Sequence, residues 1–159
     1  MEYIMWLHNF FSTRGYCSLD KPKLVKRSIE INNKVYFHYR FRTWSYSSFN
    51  WIHEAFYKEG IKFIPNNIDQ FLTPLTLAIW IMDEGGVHNS GMIISTYCFE
   101  LKDIKILQSA LNKNFKIATA IFSKKEGYII YIPKNQLPLL LYIVKPYLLP
   151  SMYYKLKVK

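Results

Sequence analysis

The chain has 159 residues, 50% of them hydrophobic and 18% aromatic, so it is long enough for one folded domain and unlike a disordered sequence. Its formal net charge is +10, from 21 Lys and Arg against 11 Asp and Glu. This excess predicts an anionic partner, with improved solubility as the alternative. The most apolar segment, 137–149, is interrupted by prolines and a lysine and is too short for a membrane span.

The first third of the chain alternates predicted helices with a basic segment. Residues 3–11 carry apolar side chains at helical spacing and predict a helix. A polar, basic stretch follows, broken by Gly15 and Pro22. A second helix is predicted from Ser47 or Ser48 to about Glu59, where Gly60 ends it.

Between these helices, residues 34–43 alternate with a period of two and predict a strand with one face on a core. The face expected inward consists of Val35, Phe37, Tyr39, Phe41 and Thr43. The outward face mixes cationic and aromatic side chains, namely Lys34, Tyr36, His38, Arg40 and Arg42. Because such side chains contact phosphates and sugars, we predict nucleic-acid binding here, with a solvated sheet face as the alternative.

A helix is predicted from Leu75 to about Glu84, because Thr73 and Pro74 form a strong helix start. It is apolar on nearly every side, so it must be buried against other elements. We expect Trp80 and Met82 to pack this helix rather than to bind a ligand.

The remaining elements predict an α+β unit with helices packed on one sheet face. They are a strand (92–98), an amphipathic helix (100–114), a hairpin (116–123 and 128–132) and a final helix (137–148), with room for another strand near residue 87. Lys116, Lys124 and Lys125 lie beside this hairpin and are added to the predicted nucleic-acid-binding residues.

Cysteines and histidines indicate no metal site by their spacing. Cys17 and Cys98 are isolated, which is typical of reduced thiols in an intracellular or organellar compartment. His8, His38, His53 and His88 lack metal-ligand spacing.

The N-terminus has no signal-peptide pattern. Frequent Tyr, Phe, Ile, Asn and Lys suggest an AT-rich gene, and we predict an organelle-encoded, mitochondrial protein.

The segment Leu72–Gly86, LTPLTLAIWIMDEGG, resembles the second LAGLIDADG motif of monomeric homing endonucleases and group I intron maturases. The pieces Ile64–Asn67, Ile94–Thr96 and Lys145–Leu156 follow the same family in order, so the resemblance covers essentially all 159 residues. It implies the LAGLIDADG fold, in which helices pack on one face of a saddle-shaped antiparallel sheet. The first half of that fold is expected to be truncated.

The resemblance also implies a divalent-metal site at the end of the helix 75–84. In the family, two such helices pack side by side, and carboxylates at their ends hold a metal ion, usually Mg²⁺, against scissile phosphates. The metal ligand maps to Glu84, with Asp83 beside it, and the catalytic lysines map to Lys155 and Lys62. Judged without the resemblance, Asp83 and Glu84 are better explained as solvated carboxylates, and Lys155 and Lys62 as ordinary surface lysines.

By the same resemblance, residues 1–71 are a remnant of the first pseudo-repeat and residues 72–159 are the complete second one. The first motif helix, its acidic ligand and two strands are expected to be missing. We therefore expect a protein partner that covers the helix 75–84. Relatives often carry a Gln-Ser pair where this chain has Tyr97 and Cys98, so a DNA contact is lost there or the packing is changed.

Two functions follow. The first is a truncated, non-cleaving RNA-binding factor in an organellar RNA–protein assembly, either maturase-like or ribosome-associated, and it is favoured because RNA recognition needs no intact metal site. The second is one piece of a split, Mg²⁺-dependent homing endonuclease that cuts double-stranded DNA with a separately encoded partner. A homodimer through the helix 75–84 is a weaker form of the second. No membrane partner is expected.

Overall fold

The computed structural model describes residues 1–29 and 34–156, and the chain forms two compact units, Met1–Phe49 and Asn50–Lys159. Within the described ranges, no helix is long and apolar enough to cross a membrane. The repeat boundary predicted after residue 71 stays a prediction, because the units are defined by packing and the repeats by sequence.

Unit 1 consists of a helix followed by a hairpin: α1 (Glu2–Ser12), β1 (Lys23–Ile29) and β2 (Lys34–Arg40). The two strands are antiparallel, with Lys23 opposite Arg40. The predicted α1 and β2 are thus present, although β2 ends earlier than Thr43. The sequence pattern did not predict β1, because its lysines and arginine interrupt any alternation of apolar residues.

The prediction that one face of β2 lies on a core is wrong. Its supposed inward residues are exposed, with 45% of Val35, 63% of Phe37 and 36% of Tyr39 accessible. The rings of α1 instead contact Phe41, just beyond the strand, with centroid distances of 5.5 Å from His8 and 6.1 Å from Phe11. The small core of unit 1 therefore forms beside the end of the hairpin rather than on its face.

Unit 2 starts with α2 (Asn50–Phe56) and a minimal hairpin of β3 (Tyr57–Lys58) and β4 (Ile61–Lys62). The helix ends at Phe56 rather than near Glu59. The turn between the strands takes left-handed backbone at Glu59 (φ 52°) and Gly60 (φ 78°), so Gly60 serves a hairpin instead of a helix end.

The rest of unit 2 is the predicted α+β arrangement. Its helices are α3 (Pro74–Glu84), α4 (Leu101–Phe115) and α5 (Leu137–Val144). Its strands are β5 (Gly85–His88), β6 (Gly91–Ser95), β7 (Ala120–Lys124) and β8 (Gly127–Ile132). The sheet is antiparallel in the order β5-β6-β8-β7, and β5 is the additional strand that the sequence left open near residue 87.

The core of unit 2 lies between this sheet and its helices. Met92, Ile94, Ile130 and Ile132 occupy one sheet face and are fully buried. Helix α3 contacts β6 and helix α4 contacts β8, so both helices lie on that face. This arrangement confirms the predicted fold class.

Helix α3 is buried on one side only. Leu77, Ala78, Ile81 and Met82 are buried, whereas Thr76 is exposed and Leu75, Ile79 and Trp80 are half-buried. Packing by Met82 is therefore confirmed, and Trp80 only partly contributes. The expectation that every side is covered is not met within the described chain, and this leaves an apolar side of α3 accessible.

Candidate nucleic-acid and metal sites

The two acidic residues of the predicted metal site lie at the end of a well-capped helix. Thr73 and Thr76 form a reciprocal capping box at the start of α3, and Pro74 lies in the first turn of the helix. At the other end, Asp83 and Glu84 are exposed. The next residue is a glycine, Gly85, and a side chain would not fit there because an added Cβ would lie 2.5 Å from the Ile81 carbonyl oxygen. This close approach lets β5 begin directly after the helix.

Lys155 binds the same helix end. The turn Pro150–Leu156 brings its ammonium to the carbonyl oxygens of Met82 (2.5 Å) and Asp83 (3.2 Å). The last carbonyls of a helix carry partial negative charge, which favours a cation there. Burial lowers the pKa of Lys155 below 10.5, and the Asp83 and Glu84 carboxylates oppose this by favouring the charged amine.

Lys62 approaches the site from the β3-β4 hairpin. Its ammonium lies 5.0 Å from the centroid of the Phe99 ring, within the range of a cation–π contact. Lys62 and Glu84 line the same cavity of about 580 Å³, together with Trp80 and Cys98. The structure thus places Asp83, Glu84 and Lys155 at the end of α3, and it places Lys62 on a cavity that Glu84 also lines.

These residues supply the carboxylate share of a Mg²⁺ site and no more. In residues 1–29 and 34–156, no group of three or more His, Cys, Asp and Glu side chains could hold a metal ion. Mg²⁺ prefers octahedral oxygen ligands, commonly one or two carboxylates with water and phosphate oxygens. Asp83 and Glu84 supply the carboxylate part alone, so no chemical step through a metal follows from this chain.

Unit 1 has a strongly cationic surface of its own. A cavity of about 370 Å³ is lined by Lys21, Lys23, Arg40 and Arg42 together with the half-exposed ring of Trp44. We call this set of five residues the basic cavity. All four cations are exposed, and none forms an ion pair within the described chain, although Asp20 also lines the cavity. Exposed cations beside an aromatic ring suit a phosphate backbone with accessible bases or sugars.

Only part of the predicted binding face of β2 lines this cavity. Arg40 and Arg42 line it, whereas Tyr36 and His38 lie further along the strand and are exposed. The side chain of Lys34 lies outside the described part of the structure. Lys21 and Lys23 were not among the predicted binding residues, and the signal that finds them is the register that pairs Lys23 with Arg40.

The predicted lysines of unit 2 are all exposed. Lys116 ends α4 in a left-handed conformation (φ 59°), and its ammonium donates to the Lys113 carbonyl oxygen at 3.5 Å. Lys124 is the last residue of β7, and Lys125 lies in the turn that follows. Lys124 and Lys125 are therefore a pair at one end of the sheet, and Lys116 belongs to a helix end.

A solved structure has the same fold over most of this chain. It is described as the homing endonuclease I-WcaI bound to its DNA recognition sequence, with a TM-score of 0.85 and 26% sequence identity. The match covers 96% of this chain and 71% of that one. The fold and the acidic helix end therefore define the class of homing endonucleases and maturases.

The family model described as the LAGLIDADG DNA endonuclease family matches residues 1–140. The chain belongs to this family, as the motif at 72–86 indicated.

Similar curated proteins have names of two kinds. The cytochrome b mRNA maturase bI2 of Debaryomyces hansenii is 40% identical over 157 residues, which covers 98% of this chain and 60% of that protein. The maturase of the same name from Saccharomyces cerevisiae is 39% identical over 165 residues, covering 98% of this chain and 39% of that protein. The intron-encoded endonuclease ai4 of Dictyostelium discoideum is 37% identical, with 96% of this chain and 99% of that protein covered. The chain therefore spans 60% and 39% of the two maturases, less than two thirds of each, but nearly all of the third relative.

Proposed function

We propose that this protein binds structured RNA without cleaving nucleic acid, as a maturase-like or ribosome-associated factor in a mitochondrial RNA–protein assembly. The observation that carries the proposal is the basic cavity of unit 1. Its four exposed cations surround one concave surface beside Trp44, where a phosphate backbone can be held by charge and a base or sugar by the ring. This binding mode needs neither a metal ion nor a carboxylate.

One further observation favours RNA as the ligand. Both relatives named as mRNA maturases match along 98% of this chain. RNA is commonly recognised through its shape, phosphates and unpaired bases, all of which suit the basic cavity. The amino-acid composition, which suggests an AT-rich gene, and the relatives named as intron-encoded endonucleases support the mitochondrial location.

The test measures whether Glu84 is needed for RNA binding or for DNA cleavage. A structured group I intron transcript and a DNA duplex of the matching exon junction are each incubated with the full chain and Mg²⁺, and both binding and strand breaks are measured. We expect tighter binding to the transcript, no breaks, and the same RNA affinity for Glu84→Ala. Glu54→Ala, which removes an exposed carboxylate of α2, is the matched control. DNA cleavage that disappears in Glu84→Ala but not in Glu54→Ala would refute the proposal.

A second function is favoured by the retained helix-end residues. Asp83 and Glu84 end α3, Lys155 donates to carbonyl oxygens there, and Lys62 lines a cavity with Glu84. A relative of nearly equal length is named as an endonuclease. On this alternative, the chain is one piece of a Mg²⁺-dependent homing endonuclease, and a separately made polypeptide supplies the second acidic helix end.

That partner would have to cover the accessible side of α3, where Leu75, Ile79 and Trp80 are half-buried. Replacing Ile79 with Lys would block such packing. For the split nuclease, Ile79→Lys should abolish both co-purification of the partner and cleavage in extracts of the native organism. For the RNA binder, the same variant should leave the affinity for the intron transcript unchanged.

A further inference from the structure

His8 is a buried histidine of α1 that lies next to the basic cavity. Only 7% of its surface is exposed. Its Nε2–H donates to the Ser18 carbonyl oxygen at 2.9 Å, and its ring meets the Phe41 ring edge to face, with 5.5 Å between the centroids. Ser18 and Phe41 line the basic cavity on two different segments of the chain. One side chain of α1 therefore contacts both sides of this cavity.

The two sides of the basic cavity differ in length. At one end they are joined by an antiparallel bridge between Cys17 and Thr43, and at the other end the β1-β2 hairpin begins. Between these two ties, one side of the cavity consists of residues 18–22 and the other of residues 41–42 alone. Because the first segment is longer, it must bow away from the second, and this bow opens the cavity.

The longer segment carries Lys21, so its path decides where this cation lies. The hydroxyl oxygen of Ser18 accepts a hydrogen bond from the Asp20 backbone N–H at 3.1 Å, which forms a tight turn directly before Lys21. Pro22 then fixes the backbone φ angle ahead of β1. The hydrogen bond from His8 to the Ser18 carbonyl holds this turn to α1, and the position of Lys21 therefore depends on His8.

The shorter segment carries the two arginines of the cavity, Arg40 and Arg42, on either side of Phe41. The Phe41 ring packs on α1, where His8 meets its edge and the Phe11 centroid lies 6.1 Å away. Anchoring this ring fixes the backbone from which both arginine side chains extend. The His8 ring therefore supports the arginine side of the cavity, while its N–H group supports the lysine side.

Packing alone would not require a histidine at this position. A leucine or phenylalanine would fill a buried place beside aromatic rings without any polar atom to satisfy. Histidine combines a planar ring for one side of the cavity with a hydrogen-bond donor for the other. The alternative is a core histidine whose N–H merely finds a partner, and it predicts a loss of stability on substitution with no change at the cations.

We propose that His8 is a positioning residue for the basic cavity: its N–H group fixes the segment that carries Lys21, and its ring fixes the segment that carries Arg42. His8 acts through Ser18 and Phe41 rather than on the RNA. The proposal rests on the RNA-binding function and states how the cations are held in place for the phosphates. Cations that are held in place lose less conformational freedom on binding, so their positions contribute to affinity as well as their charge.

The test is a set of double-mutant cycles in the full chain. His8→Phe keeps a ring but removes the donor, whereas His8→Gln keeps a donor but removes the ring. Each is combined with Lys21→Gln and with Arg42→Gln, and the affinity for a structured group I intron transcript is measured over a series of salt concentrations. The matched controls are His53→Phe and His53→Gln, because His53 lies exposed on α2, stacked on Tyr57. The thermal unfolding midpoint of every variant records its stability.

We expect a crossed pattern of effects. In the wild type, Lys21→Gln and Arg42→Gln should each lower the slope of log K against log salt by about 0.7 to 0.9, which corresponds to one phosphate contact. In His8→Phe, the effect of Lys21→Gln should largely disappear and that of Arg42→Gln should remain. In His8→Gln, the two effects should be exchanged. A general loss of stability would reduce both effects alike, and the His53 variants should match the wild type.

Folded His8 variants in which both cations keep their full effects would overturn the positioning role and leave the RNA-binding function intact. An equal reduction of both effects would overturn it as well. If His8→Phe does not fold, Phe41→Leu tests the same contact from the other side, and a full effect of Arg42→Gln in that variant would count against the proposal. Cation substitutions without effect in the wild type would refute the basic cavity, and the proposal with it. A wild-type chain that does not bind the transcript would refute the proposed function itself.

Discussion

Neutralising the basic cavity should remove most of the salt dependence of nucleic-acid binding. The perturbation replaces all four of its cations with Gln: Lys21, Lys23, Arg40 and Arg42. If each contacts one phosphate, the slope of log K against log salt falls by about 2.8 for a single strand and about 3.6 for a duplex. Between about 50 and 200 mM salt, this slope corresponds to a change of about 50- to 150-fold in affinity.

The assay is equilibrium binding of a structured RNA over a series of salt concentrations. The control replaces the same number of exposed lysines in unit 2 outside any proposed surface, and so changes the net charge equally: Lys102, Lys105, Lys134 and Lys145. The control should retain nearly the full slope. Equal slopes for the two variants would refute the reasoning, because they would mean that overall charge rather than the basic cavity holds the phosphates.

Two further predictions concern the end of α3. Gly85→Ala should destabilise the protein by about 1 to 3 kcal/mol in urea unfolding, because the added Cβ would lie 2.5 Å from the Ile81 carbonyl oxygen. The control Gly86→Ala should be close to neutral, because the nearest atom to its Cβ lies at 4.0 Å. Equal effects of the two substitutions would contradict this packing. Lys155 should titrate below 10.5, so the unfolded state binds more protons between the folded and unfolded pKa values, and stability should rise with pH through that window. Lys155→Met should remove this part of the pH dependence, and an ammonium resonance that titrates at or above 10.5 would contradict the assignment.

The elements of unit 2 could largely be predicted because local signals and tertiary packing agree there. Thr73 and Pro74 mark the start of α3, and they form the observed cap. The spacing of apolar residues in 101–115 gives α4 and its buried face. Strand β5 was only suspected, because two glycines and a histidine in four residues carry no strand propensity, and its position is set by pairing with β6.

Unit 1 was harder to predict because its strands do not cover a core. The alternation in 34–43 is real, but both faces of β2 are exposed from Val35 to Arg40. Periodicity shows which side chains share a face and cannot show what that face contacts. The missed β1 has the same origin, since basic residues replace the apolar alternation on which strand prediction depends.

The candidate sites also differ in how well the sequence alone could predict them. The residues at the end of α3 came from the family motif, which carries spatial information, and the structure places them together. The place of Lys21 and Lys23 in the basic cavity depends on strand register and on which faces remain exposed. These are tertiary properties, so no local pattern in the sequence could identify them.

The most direct measurement for the central claim is ultraviolet crosslinking of the protein in its native organism, followed by sequencing of the attached nucleic acid. We predict discrete RNA sites, in an intron or in ribosomal RNA, with crosslinked peptides from the basic cavity. Crosslinks confined to a double-stranded DNA site, at which breaks depend on Glu84, would contradict the account and support the split endonuclease.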